Sequence, residues 1–338
     1  MQPLTPRRLA WICGGLAALL LVVVVVSLKL GAVPISVTDL VVNLGRVAIG
    51  RSDSLPSDQR LIVFEIRLPR ILLGILVGAA LSVAGAGFQA LLRNPLADPY
   101  VLGVSSGAAL GAIFSLLVAG QTTAAMPFAA FAGAALTIGA VYLLGRRGGY
   151  LDSYTLLLAG IVTASFLSAV IMFLMTTLSG RDLRGMAFWL MGDLSSPIPV
   201  DLKWLFLVLA LSAGAIYTTA ADLNLLLTGE QEAMHLGVDV PRVKLVVYVS
   251  ASLLTGVAVS VSGAIGYVGL LVPHVMRLLF GTDYRLLIPT AAIGGAIAIV
   301  VADTLARTIV APTELPVGAM TAMAGAPVFI YLLRRRMQ

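Results

Sequence analysis

Histidine, lysine and cysteine are almost missing from this chain of 338 residues, which holds two, three and one of them. Each scarcity excludes a chemistry. None of the lysines (Lys29, Lys203 and Lys244) follows a glycine, so the Gly-Lys pair of a nucleotide-cradling loop is absent. Without that loop, LSGRD at 178–182 is no ATPase signature, and the chain does not read as an enzyme. His235 and His274 lie far apart in sequence, which argues against a metal site, and no cofactor is expected. His274 is expected to brace a turn at Pro273. Cys13 can form no internal disulfide and reads as a buried thiol in the first apolar run.

Charge is scarce as well. Only 11% of residues are charged, against about a quarter in an ordinary soluble domain, whereas 59% are hydrophobic. Mean hydropathy is +1.01. These values define a polytopic membrane protein. No polar stretch is long enough for a soluble core, so residues 1–338 read as one transmembrane domain. The net charge of +6 does not signal nucleic acid, because the basic residues stand singly or in pairs between apolar runs.

A hydrocarbon core about 30 Å thick takes roughly 20 apolar residues as a helix, the spanning form that satisfies its own backbone. That length predicts an all-α fold with ten transmembrane helices, at Leu9–Leu30, Ile71–Leu92, Val101–Ala119, Phe128–Leu144, Thr155–Leu178, Leu202–Ala221, Val243–Val261, Tyr267–Phe280, Leu286–Ala306 and Val317–Leu333. Twelve of the 22 basic residues, among them Arg7, Arg8, Arg93, Arg146, Arg242 and Lys244, then share one side with both termini, which the positive-inside rule makes cytoplasmic. Arg67, Arg70 and Arg307 fall close to the opposite surface, where that rule disfavours them.

The chain also repeats itself. VGAALSVAGA at 77–86 and TGVAVSVSGA at 255–264 agree at six of ten positions, and each is followed by a leucine pair and then a proline, Pro95 or Pro273. The copies fall on spans 2 and 7, with four spans between them, so they cross in opposite directions, and spans 2–5 and 7–10 form an inverted repeat of the kind transporters use.

Two loops carry further signal. In LLRNPLADPYVLG, Pro95 and Pro99 forbid a continuous helix while Asn94 and Asp98 supply turn chemistry; the turn is either a gate or an ordinary tight connection. In ADLNLLLTGEQEAMHLGVDVPRVK, Thr228 and Gln231 are placed for a capping box on a short helix through Leu236 that Gly237 stops. That helix either lies in the lipid interface or docks a soluble partner. Asp303 and Arg307 stand at i and i+4 and pair on one helix face.

RLPRILLGILVGAALSVAGAGFQALLRNPLADPYVLGVSSGAALGA, SGAIGYVGLLVPHVMRLLFGTDYRLLIPTAAIGGA, ADTLART and ELPVGAMTAMAGAPVFIYLL together resemble the FecCD family over nearly the whole chain. These are permease subunits of type II ABC importers for ferric siderophores, haem and cobalamin. The resemblance implies a homodimer in the cytoplasmic membrane, served by two cytoplasmic ATPase subunits and an extracytoplasmic substrate-binding protein. By motif match, Arg67, Arg70 and Arg307 would dock the binding protein's glutamates. Asn94 and Leu96, with Ser153 and Tyr154 nearby, would form the cytoplasmic gate. Thr228, Gly229, Glu230, Ala233, Leu236 and Gly237 would couple to the ATPase. Phe166, Met172, Phe173 and Met175 on span five would line the pathway or simply pack against neighbouring helices. A secondary transporter is the alternative that the inverted repeat alone would also suit. The scarcity of carboxylates within the spans argues against it.

Overall fold

The computed structural model describes residues 5–31, 60–119, 125–147, 150–178, 180–195 and 201–336. Helix α1 (Pro6–Lys29) is followed by a π-helical turn (Leu61–Arg67) that runs into α2 (Leu68–Leu91). A 3-10 turn (Pro99–Leu102) leads to α3 (Val104–Ala119) and α4 (Met126–Leu144). A two-stranded hairpin, β1 (Arg146–Arg147) and β2 (Tyr150–Leu151), precedes α5 (Ser153–Met175), α6 (Gly180–Leu190) and α7 (Leu202–Thr218). Two short helices, α8 (Ala220–Leu226) and α9 (Glu230–His235), lead to α10 (Val240–Ser262), α11 (Val268–Phe280), α12 (Tyr284–Thr308) and α13 (Val317–Arg336). Each of the ten expected spans falls on one of these helices. Among the described residues, six are long and apolar enough to cross a bilayer unaided, α7 with α8 makes a seventh bent by 51°, and the apolar stretches of α3 (Val104–Val118), α11 (Val268–Phe280) and α13 (Val317–Tyr331) are shorter.

The few acidic residues explain where several helices begin. The first N–H groups of a helix have no internal partner, and a side-chain oxygen just ahead of them supplies one. Asp98, Asp152, Asp201, Asp239 and Asp283 each accept such a bond, from Tyr100, Thr155, Lys203, Arg242 and Arg285. Thr5 does the same for Arg8 at the start of α1.

Helix α2 is the axis of the bundle. In its most apolar stretch, 83% of residues are buried, against none in that of α1. It packs on α12, α10, α11 and α7, and glycines set the distances. A Cβ on Gly78 would lie 2.2 Å from the Gly295 carbonyl oxygen, and one on Gly85 only 1.8 Å from that of Gly269. Backbones in such contact gain the close van der Waals packing on which helix association in lipid depends.

The repeat is legible in the packing. Exchanging α2 with α10, α3 with α11, α4 with α12 and α5 with α13 turns the contact of α2 with α12 into that of α10 with α4. The same exchange turns α3 on α4 into α11 on α12, and α2 on α11 into α10 on α3. Glu230 bonds both Arg93, just beyond the end of α2, and Lys244, near the start of α10. Helices α2 and α10 therefore run in opposite directions.

Two local expectations are corrected. Pro273 sits inside α11 rather than at a turn. It lacks the N–H that would reach the Gly269 carbonyl, and the buried Gln89 of α2 donates its Nε2 there instead, as well as to Leu270 and Ala97. His274 is buried within the same helix. Cys13 is half-buried on α1.

Candidate functional site

Polar groups collect at the two ends of the bundle. At one end the sequence RNPLADP forms a compact turn after α2. Arg93 takes a left-handed conformation (φ 47°), and the Asn94 side-chain oxygen accepts the Leu96 N–H at 3.0 Å. Asn94 is half-buried and Leu96 exposed. Ser153, at the start of α5, donates its hydroxyl to the Leu91 carbonyl at 2.9 Å, which brings Ser153 and the exposed Tyr154 beside this turn. The four expected gate residues thus share one end of the molecule. The turn is pinned from below by Tyr100, whose hydroxyl donates to the Ile265 carbonyl (2.9 Å) and accepts the Ile265 N–H (2.8 Å).

Burial pushes the Asp98 carboxyl up to about 6, against the opposing pull of the Tyr100 N–H that it accepts. A carboxyl whose folded value is raised favours the folded state while protonated. Its contribution is complete below the ordinary value of 3.8 and is lost as pH rises through about 6. Asp98→Asn keeps the capping oxygen and removes the titration. Thermal midpoints measured from pH 4 to pH 7 are expected to fall for the wild type relative to this variant across that window; parallel curves would refute the assignment.

The short helix α9 lies at the same end. Its C-terminus closes as expected: Gly237 is left-handed (φ 87°), and the N–H groups of Gly237 and Val238 return to the carbonyls of Met234 and Ala233. Its N-terminus differs. Thr228 donates its hydroxyl to Leu225 at 2.7 Å, finishing α8, and Gly229 precedes the helix without a side-chain cap, so the capping box does not form. Ala233 is buried, whereas Met234 and Leu236 are exposed. Glu230 faces inward to the 3% exposed Lys244, with Nζ at 2.6 Å.

At the opposite end the expectation of an exposed arginine face is corrected. Arg67, Arg70 and Arg307 do lie near one another, but they are 5%, 9% and 6% exposed. Arg67 donates to the Leu28 carbonyl at the end of α1 (2.7 Å). Arg70 bonds Asp303 (2.8 Å) and the exposed Glu314 (2.7 Å). Arg307 pairs with Asp303 at 3.0 Å and donates to Ser27 Oγ at 2.8 Å. Guanidinium groups gather the loose carbonyls of α1 and share one carboxylate, a buried network that needs every member. Along α5, Phe166, Met172 and Phe173 are exposed, while Met175 is half-buried against the core.

Sequence reasoning passed over Gln89, Glu314 and the Lys244–Glu230 pair. Gln89 carried a signal, since a polar side chain in an apolar helix is expensive unless it is used. Glu314 and Lys244 carried none, because their partners are distant in sequence.

A multi-pass bundle of two oppositely directed halves around one buried helix, with a structured turn at one end, is the architecture of a membrane permease. Residues 19–335 match the family model described as the FecCD transport family. The cobalamin import system permease protein BtuC of Halobacterium salinarum is 44% identical over 281 residues, 83% of this chain and 75% of that protein. The hemin transport system permease protein HmuU of Yersinia pestis is 41% identical over 292 residues, 80% of this chain and 83% of that one. A solved structure of an inward-facing metal-chelate type ABC transporter superposes with a TM-score of 0.81 at 30% identity, covering 96% of this chain and 99% of that chain. The chain belongs to the FecCD transport family.

Proposed function

We propose that this chain is the membrane-spanning subunit of an ATP-driven importer that moves a bulky metal chelate, a ferric siderophore, haem or cobalamin, across the cytoplasmic membrane. The observation that carries this reading is the likeness, over 96% of the chain, to a metal-chelate type ABC transporter. Two copies pair through exposed apolar faces such as that of α5. Both termini and the end bearing Asn94, Leu96, Ser153 and Tyr154 face the cytoplasm. There the exposed Met234 and Leu236 of α9 enter the ATPase subunit, which hydrolyses the ATP.

Reconstitution with the ATPase and a chelate-loaded binding protein tests the proposal. Uptake is expected to stop when ATP is removed with the proton gradient intact; continued uptake would make the protein a secondary transporter. Met234→Arg is expected to abolish stimulation of the ATPase, because a charge in an apolar contact costs several kcal/mol unless paired, on the order of 3 kcal/mol or more.

The arginine end is read as the docking face for the binding protein, with an acidic side chain of that partner displacing Glu314 from Arg70. Reversing Arg67 or Arg70 is a poor probe, since both hold the fold. Glu314→Gln instead leaves Arg70 Nη1 with a weaker acceptor and is expected to tighten the binding protein's association, read by titration in nanodiscs. Looser binding would count against docking at this end.

A further inference from the structure

The chemistry that joins α9 to the closing elements stands apart from the docking surface itself. Glu230 Oε1 lies 2.6 Å from Lys244 Nζ and 3.4 Å from an Arg93 guanidinium nitrogen. Lys244 is 3% exposed, and its Nζ also donates to the Leu151 carbonyl at 3.1 Å. Leu151 ends the hairpin immediately ahead of Asp152, Ser153 and Tyr154. Arg93 immediately precedes Asn94 and holds a left-handed backbone (φ 47°) that a non-glycine residue adopts only at a cost. One carboxylate oxygen on the short helix is therefore bonded, through two cations, to both segments that carry the gate residues.

We propose that Glu230, Lys244 and Arg93 form a forked latch that transmits movement of α9 to the two halves of the cytoplasmic closure. Lys244 carries it to the Leu151–Tyr154 segment and Arg93 to the Asn94–Leu96 turn. The proposal rests on the reading that α9 docks the ATPase and adds the residues through which docking reaches the pathway. The two prongs differ in strength. The Lys244 prong is desolvated, so a buried ammonium without its carboxylate is strongly disfavoured and the two must move together. The Arg93 prong is half-exposed and individually weak, and it acts by choosing between two arrangements of a strained turn rather than by holding one rigidly. Lys244 and Arg93 are positioning residues; neither is placed to touch the cargo.

The prongs can be cut separately. In the Cys13→Ser background, in the assembled complex with its ATPase in nanodiscs, Leu96→Cys and Tyr154→Cys report through their rates of labelling by a water-soluble maleimide. With otherwise unaltered latch residues, vanadate-trapped ATP is expected to change both rates by about fivefold or more. Arg93→Ala is expected to remove the change at position 96 and keep it at 154. Lys244→Met is expected to remove it at 154 and keep it at 96. Both variants should still bind the ATPase, whereas Met234→Arg should not. Labelling changes that persist at both positions in either variant, or that are missing when the latch is intact, would overturn the latch while leaving the docking reading in place. ATPase binding by Met234→Arg would overturn both. Should Lys244→Met fail to fold, the exposed Arg93→Ala still decides the matter, since a merely structural staple would leave the response at position 96 intact.

Discussion

Replacing Asp303 by alanine is expected to prevent the chain from accumulating as a folded protein. Asp303 is 2% exposed and serves two buried cations, with Arg70 at 2.8 Å and Arg307 at 3.0 Å. Removing one partner of a buried ion pair costs about 3–5 kcal/mol, because the remaining charge has lost water and gained nothing in return. Here two guanidinium groups are left at once. Glu314 compensates only Arg70, and from the exposed side. Arg307 also holds the end of α1 through Ser27, so the loss should spread from α12 to α1. Size-exclusion profiles and thermal midpoints of detergent extracts check this. An Asp303→Ala midpoint equal to that of the wild type would remove the network from any account of stability. Adding Arg70→Met and Arg307→Met to Asp303→Ala is expected to recover part of the yield, as apolar replacement of a whole buried network often does.

Gly78→Leu is expected to disrupt the bundle outright, whereas Gly14→Leu should be silent. A Cβ at Gly78 would come within 2.2 Å of the Gly295 oxygen and 2.6 Å of its carbon, while nothing lies within 4 Å at Gly14. Overpacking costs about 1–3 kcal/mol where side chains can rotate away, and more where they cannot. A backbone carbonyl cannot rotate away without breaking its helix, so α2 and α12 would have to separate. Separation at Gly78 would also strain the Arg70–Asp303 pair two turns away along the same interface. The two variants compared by protease resistance in membranes should differ sharply. Equal resistance would mean that the glycine contact is not what sets the spacing of these helices.

Much of the arrangement was readable before folding because it is local. A run of roughly 20 apolar residues must cross or be buried whatever its neighbours do. The ten spans accordingly fall on ten helices, and the match between 77–86 and 255–264 foretold two halves of opposite direction. Gly237 as a helix stop was equally legible, since a left-handed residue is needed there and glycine adopts it freely. The grouping of Asn94 and Leu96 with Ser153 and Tyr154 followed from motif resemblance, and the Ser153 hydroxyl on the Leu91 carbonyl gives it a physical link.

What the sequence by itself determined, then, is which stretches form the apolar helices, how the two halves are related and where a short polar helix stops. These depend on hydrophobicity per unit length and on backbone preferences within a few residues. Only the tertiary structure decided which way the charges turn. Arg70 and Asp303 stand 233 positions apart, Arg307 and Ser27 280 apart, and Lys244 meets the Leu151 carbonyl across 93. No local pattern encodes such partners. Arginines that read as an outward patch turn inward, and Glu230, which read as a contact for another subunit, holds a buried lysine. In a low-dielectric interior a charge settles where packed helices bring an opposite charge or a bare carbonyl, and that position exists only once the helices have met.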